Sequence, residues 1–168
     1  MRIQVREMFG GGRKDLKNNL LPLDLQYLFQ NEYLDCMKIL IVLYQLRRRR
    51  KGVNIEELNY YYTMIDLLEG AQECEPNQEY YQDNYLINEE KMRGYGILIK
   101  NQDFIEINVE NTTKKTTLYY KLTQAGMQLV EGLEDEYFDK IRKRVEFVNS
   151  TMKYSVSNQR KVMSRNEK

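Results

Sequence analysis

The sequence predicts a mainly α-helical chain that carries one small antiparallel β-hairpin and closes on a long helix. Three observations carry this. Two runs, Phe104, Ile105, Ile107 and Val109, then Leu118, Tyr120 and Leu122, alternate apolar and polar residues about a Thr/Lys/Asn cluster. Such a pattern is that of an antiparallel hairpin with one buried face. Directly after Thr123, whose hydroxyl can accept a backbone N–H of the next turn, the period changes to about 3.6 at Ala125, Leu129, Val130 and Leu133. Upstream of the hairpin lie three stretches of helical periodicity.

Taken in order, residues 1–30 read as an arm and lead-in. Ile3, Val5 and Met8 alternate weakly, as in an edge strand or a pairing arm, and Gly10, Gly11 and Gly12 break the chain. No GK[ST] follows the glycines, so a linker is expected there rather than a phosphate-binding loop. The first helix is expected over 33–49. Its Leu34, Met37, Ile39, Leu40, Ile41, Leu43, Tyr44 and Leu46 cover more than one face, so it should be central and buried. It ends in Arg47, Arg48, Arg49, Arg50 and Lys51, then Gly52. Cations offset the negative helix end and glycine can take a left-handed cap. A contact to nucleic acid or an acidic partner stands open beside that structural account.

Asn54 starts a second helix with Glu56 and Glu57 in its first turn. The stretch EGAQECEPNQEYYQDN is acidic and longer than the roughly two to eight residues usual between bundled helices, so it is read as an insertion with a partner or a mobile loop. A third helix is expected over 88–101, capped by Asn88, with Ile97, Leu98 and Ile99 in the core. The last helix is expected to run unbroken over 124–150, and residues 151–168 to form a weakly ordered basic tail. The order helix, helix, helix, hairpin, helix over 31–150 resembles the winged-helix module, a helix-turn-helix with a hairpin wing.

At 168 residues the chain suffices for one core. With 30% charged residues and a mean hydropathy of −0.71 its surface is wet. No apolar run is long enough to span a bilayer, and MRIQVREMFGGGRK lacks the apolar core of a secretory signal, so no membrane association and a cytoplasmic location are expected. Cys36 and Cys74 are then read as free thiols. Histidine is absent, which excludes His-dependent triads, HExxH sites and Cys/His fingers. Net charge is only +1, but it is unevenly distributed: an acidic belt over 69–90 separates the 47–51 run from a basic tail. This suits docking on partners of both signs.

For catalysis the residues offer no constellation: no carboxylate pair is placed by spacing, and neither cysteine has a histidine to activate it. No catalytic residue, metal ligand or cofactor is expected. For DNA, the third helix of a winged-helix module usually enters the major groove. Here it offers Lys91, Arg93 and Lys100 against Glu89, Glu90 and the helix-weakening Gly94 and Gly96. The wing tip, residues 111–117 with Lys114 and Lys115, and the Arg47–Arg50 run can touch phosphates without reading bases. For protein binding, tyrosine is abundant, 14 of 168, and suits interface cores. Tyr80 and Tyr81, beside Glu73 and Glu75 in the acidic loop, are the favoured interface group; Tyr119 and Tyr120, on a strand, must alternate between core and solvent. The stripe Val130, Leu133, Tyr137, Ile141, Val145, Val148 and Met152 either covers this domain or pairs with a second copy. Its length favours a shared surface, with Tyr137, Ile141, Val145 and Val148 at the contact.

YLDCMKILIVLYQLRRRRKG, NEEKMRGYGILIKNQDFIEI and TTLYYKLTQAGMQLVEGL together resemble the small middle component of bacterial ABC-three-component anti-phage defence systems, of which the Lamassu type is one. The resemblance spans most of residues 30–150. It implies a non-enzymatic winged-helix subunit that bridges an SMC-like ATPase and an effector such as a nuclease. The competing expectation is a dimeric winged-helix transcription regulator.

Overall fold

A computed structural model describes residues 31–69 and 80–164. Residues 1–30, and with them the expected arm, lie outside the described residues, as do Glu73, Cys74, Glu75 and residues 165–168. Six helices and a three-stranded antiparallel sheet make up the described part.

Helix α1 (Glu32–Gln45) starts where the Asn31 side chain accepts the Leu34 N–H. Every residue from Cys36 to Leu43 is buried, as apolar residues on all faces require, and α1 packs against the helices over 55–69, 81–101, 124–131 and 136–151 and the strand over 116–122. Its end is closed by Arg47, whose guanidinium lies 4.1 Å from the Tyr44 ring centroid and donates to the Tyr44 carbonyl at 2.8 Å. Gly52 then turns the chain at φ 92°, and a Cβ there would stand 2.6 Å from the Tyr120 carbonyl oxygen. Only glycine combines that backbone with that approach.

The turn delivers a short strand, β1 (Val53–Asn54), which precedes helix α2 (Ile55–Glu69). Asn54 serves both, since its side-chain oxygen accepts the Glu57 N–H at 2.7 Å. Tyr60, Tyr61 and Tyr62 are all buried. The Tyr60 hydroxyl donates to the Met152 carbonyl and that of Tyr61 to Asn149 Oδ1. Helix α3 (Tyr81–Asn101) begins seven residues before the expected start. Asn88 is therefore no cap: it is buried in mid-helix and donates to Thr63, which donates in turn to Asn59, while Asn59 donates to the Tyr85 carbonyl. This thread satisfies the buried polar groups between α2 and α3.

After a left-handed Asp103 (φ 59°) come β2 (Ile105–Asn111) and β3 (Thr116–Leu122), paired from Ile105↔Leu122 to Asn111↔Thr116. Strand β1 adds to the far edge of β3 through Val53↔Tyr120 and Asn54↔Tyr119, giving the order β1-β3-β2. The hairpin's apolar face is buried only at its base, Ile105, Tyr120 and Leu122; Val109 projects into solvent because the hairpin outruns the core.

Thr123 caps helix α4 (Gln124–Glu131), accepting the Gly126 N–H at 3.1 Å. The expected unbroken last helix is instead two. It stops at Gly132 and restarts at Asp135, whose carboxylate accepts the Tyr137 N–H at the head of α5 (Glu136–Thr151). Arg142 holds the corner, donating to the Val130 and Leu133 carbonyls at 2.8 Å each. The bend folds the stripe back onto α1 and α2, so Ile141, Val145 and Val148 are buried within this chain. Residues beyond 151, expected to be weakly ordered, include helix α6 (Val156–Met163), capped by Ser155, with Val162 buried against the core.

Candidate functional site

Helix α3 is the element with the most unusual exterior. Tyr81, Tyr85, Asn88, Met92, Gly96 and Ile99 are buried at spacings of three and four. That period fixes one inward face and turns Asp83, Leu86, Ile87, Glu90, Arg93, Gly94, Ile97 and Lys100 outward. Leu86 and Ile87 are each 55% exposed and Ile97 58%. Gly96 accommodates the Tyr120 ring, whereas nothing lies within 4 Å of a Cβ added to Gly94. The outward face is thus apolar at its centre line, open at Gly94 and charged with both signs. Leu86 and Ile87 escape the sequence reading because they precede the expected helix start at 88. The spacing Tyr81, Tyr85, Asn88, Met92 is the signal that contains them. Ile97, assigned to the core by sequence, faces solvent because the inward register belongs to Gly96 and Ile99.

The basic candidates divide into two groups. Arg47 is engaged at the end of α1. Arg49 lies 2.9 Å from Glu57, whose side chain is nearly buried. Lys51 pairs with Glu110 at 2.8 Å on the hairpin. That hydrogen bond holds the Glu110 carboxyl below and the Lys51 ammonium above their ordinary ranges. Lys115 pairs with Glu56 at the head of α2, and Arg93 lies 4.0 Å from Glu89 one turn back. Arg48, Arg50, Lys91 and Lys114 are exposed with no ion pair among the described residues. The run of four arginines is therefore not one basic patch: alternate members close a helix and neutralise a nearly buried carboxylate.

The expected protein-binding residues also separate. Tyr80 is 55% exposed, but Tyr81 is fully buried, its ring 6.1 Å from Tyr60 and 5.7 Å from Tyr85. The expected loop doublet is the first turn of a helix, which sends neighbours about 100° apart. Ile141, Val145 and Val148 line the core rather than a shared surface, and Tyr137 is half-buried against Phe138. Glu73 and Glu75 lie outside the described residues.

An ionisable cluster joins α1, α2 and α3. The Lys38 ammonium is 2.9 Å from Asp66 and 5.9 Å from the Tyr62 ring centroid, and Tyr95 donates to Asp35 at 3.1 Å. Burial, and then the nearby Asp66 and Asp35, push the Tyr62 phenol up. This arrangement keeps the phenols neutral and the ammonium paired, a clasp between helices. Burial, with Asp35 and Glu32 beside it, pushes the Cys36 thiol up to about 12, so it packs as a small hydrophobe and supplies no thiolate. Among the described residues no group of three or more His, Cys, Asp or Glu side chains could hold a metal ion, and no helix is long and apolar enough to cross a membrane.

Comparison with family models, with curated proteins and with solved structures gives no match for this chain.

Proposed function

We propose that this chain is a non-catalytic winged-helix adaptor subunit of a bacterial anti-phage defence complex of the ABC-three-component, Lamassu-like type, bridging an SMC-like ATPase and an effector nuclease. Support for the module comes from the topology: three helices, with a short strand between the first two, and a hairpin whose second strand pairs with that short strand. The observation that carries the adaptor reading is the exterior of α3. A helix that reads bases presents Arg, Lys, Asn or Gln to the groove. This one presents Leu86, Ile87 and Ile97 between charges of both signs, the composition of a protein-binding face. The ATPase and effector are what the resemblance of the three quoted stretches implies.

Co-purification of the chain expressed with its neighbouring genes tests the proposal. Stoichiometric recovery of an ATPase is expected; recovery of the chain alone would overturn it. One observation favours the second reading, a dimeric DNA-binding regulator: Arg48, Arg50, Lys91 and Lys114 are exposed and unpaired among the described residues. Replacing all four by Ala abolishes DNA binding under the regulator reading and leaves partner recovery unchanged under the adaptor reading. A regulator would also lose roughly 10³-fold in affinity between low and moderate salt.

A further inference from the structure

The outward face of α3 carries a second pattern. Asp83, Leu86, Glu90, Arg93, Ile97 and Lys100 are all exposed and follow one another at spacings of three and four. They form a heptad-spaced stripe, apolar at Leu86 and Ile97 and charged at the other four positions, over about 26 Å at 1.5 Å per residue. A seam on the surface of a helix that already buries its other face has no counterpart within the described residues. The side chains of Asp83, Glu90 and Lys100 make no ion pair there, and the ion pair of Arg93 there is the long one to Glu89.

The seam is complementary to itself when reversed. A two-fold axis crossing the helix between Lys91 and Met92 sets each residue against the one equally far on the other side. Asp83 then meets Lys100, Leu86 meets Ile97, and Glu90 meets Arg93, so that every seam position finds a partner of opposite charge or like polarity. Moving the axis onto Met92 instead opposes Lys91 to Arg93, two cations. An isologous contact requires this reciprocity, residue i on j and j on i. We infer that two copies of this chain associate antiparallel through α3, with Leu86 and Ile97 as the apolar centre and the Glu90–Arg93 and Asp83–Lys100 pairs setting the register.

The contact goes beyond the adaptor reading and rests on it in one respect, that α3 faces protein rather than a DNA groove. One helix per copy buries little, on the order of 1,000 Å² in total, the low end for a specific interface, where weak and transient contacts sit. Interfacial charges at this size decide register and partner choice more than affinity.

Sedimentation of the full chain between about 1 and 300 µM reads the self-association directly. Wild type is expected to pass from monomer to dimer across that range. Glu90→Arg opposes Arg to Arg93 twice in the dimer, and Arg93→Glu opposes two carboxylates twice. Each variant alone is expected to dimerise at least about tenfold more weakly, while their equimolar mixture, in which every pair is again opposite, forms a heterodimer within about threefold of wild type. Both positions are exposed, so the variants are expected to keep the wild-type circular dichroism. A wild type that stays monomeric throughout overturns the inference. So do single variants that dimerise like wild type, or a mixture that fails to recover. A monomer that still brings down its ATPase would remove the dimer and leave the adaptor standing.

Discussion

A Cβ built on Gly96 would stand 2.7 Å from Cε1 of the Tyr120 ring. The absence of a side chain at that one turn of α3 is what lets the buried Tyr120 ring of β3 lie against the helix. Gly94, two residues earlier, has open space around it. The two glycines, alike in sequence, therefore have opposite expected responses. Gly96→Ala forces a buried ring to move and should cost about 1–3 kcal/mol. Gly94→Ala removes a helix-weakening residue without a clash and should raise stability by about 0.5–1 kcal/mol. Thermal or urea unfolding of the two variants, with equal signs as the contrary result, checks this.

Arg49 and Glu57 make the second prediction. Glu57 is nearly buried at the head of α2, and the Arg49 guanidinium is its only ion-pair partner among the described residues. Arg49→Ala leaves a carboxylate without its cation in a poorly hydrated place, an expected loss of about 1–2 kcal/mol. Arg48→Ala and Arg50→Ala, at exposed positions, should stay within about 0.5 kcal/mol of wild type. Equal effects at all three positions in denaturant unfolding would remove the distinction drawn between them.

The tyrosines set the response to alkali. Burial, with Tyr61 beside it, pushes the Tyr60 phenol up to about 12, and burial, with Glu56 and Tyr85 nearby, does the same for Tyr154. Tyr62, Tyr81 and Tyr95 are raised by burial as well. An unfolded chain releases such protons near pH 10, the folded chain only nearer 12. Above pH 10 the unfolded state therefore holds fewer protons than the folded one, and stability falls with rising pH through the window from about 10 to 12. Below that window these groups add no pH dependence. Ultraviolet absorbance should show the phenolate of the buried class appearing together with loss of helical circular dichroism. Ionisation of that class near pH 10 with the helices intact would contradict the packing of the Tyr60, Tyr81 and Tyr154 rings.

How much of this was legible in the residues differs by element. The hairpin, its cap at Thr123 and the central burial of α1 follow from local signals that the structure keeps, whereas α1 ends at Gln45 rather than 49, so the basic run lies beyond the helix and Gly52 turns the chain without capping it. The start of α3 was hidden because its first turns, Tyr81 to Asn88, sit in a polar, acidic context, and their inward residues are Tyr81, Tyr85 and Asn88. The break between α4 and α5 was hidden because Val130, Leu133, Ile141, Val145 and Val148 keep helical spacing straight across it. Gly132 alone is a weak stop, and the residue that holds the corner, Arg142, acts from the far side of the bend. The candidate surface moved accordingly, from Tyr81 and the α5 stripe to Leu86, Ile87 and Ile97.

The sequence by itself determined the hairpin, the Thr123 cap that follows it and the apolar centre of α1, because those depend on neighbours within a few residues. Which apolar stripe closes on this chain and which stays outside was decided only by the tertiary structure. Helical periodicity marks a face as apolar but carries no record of what covers it. The α5 stripe is covered because Arg142 and Gly132 fold it back onto α1, and the outward α3 stripe is bare among the described residues because Gly96 and Ile99 hold that helix down by its other side.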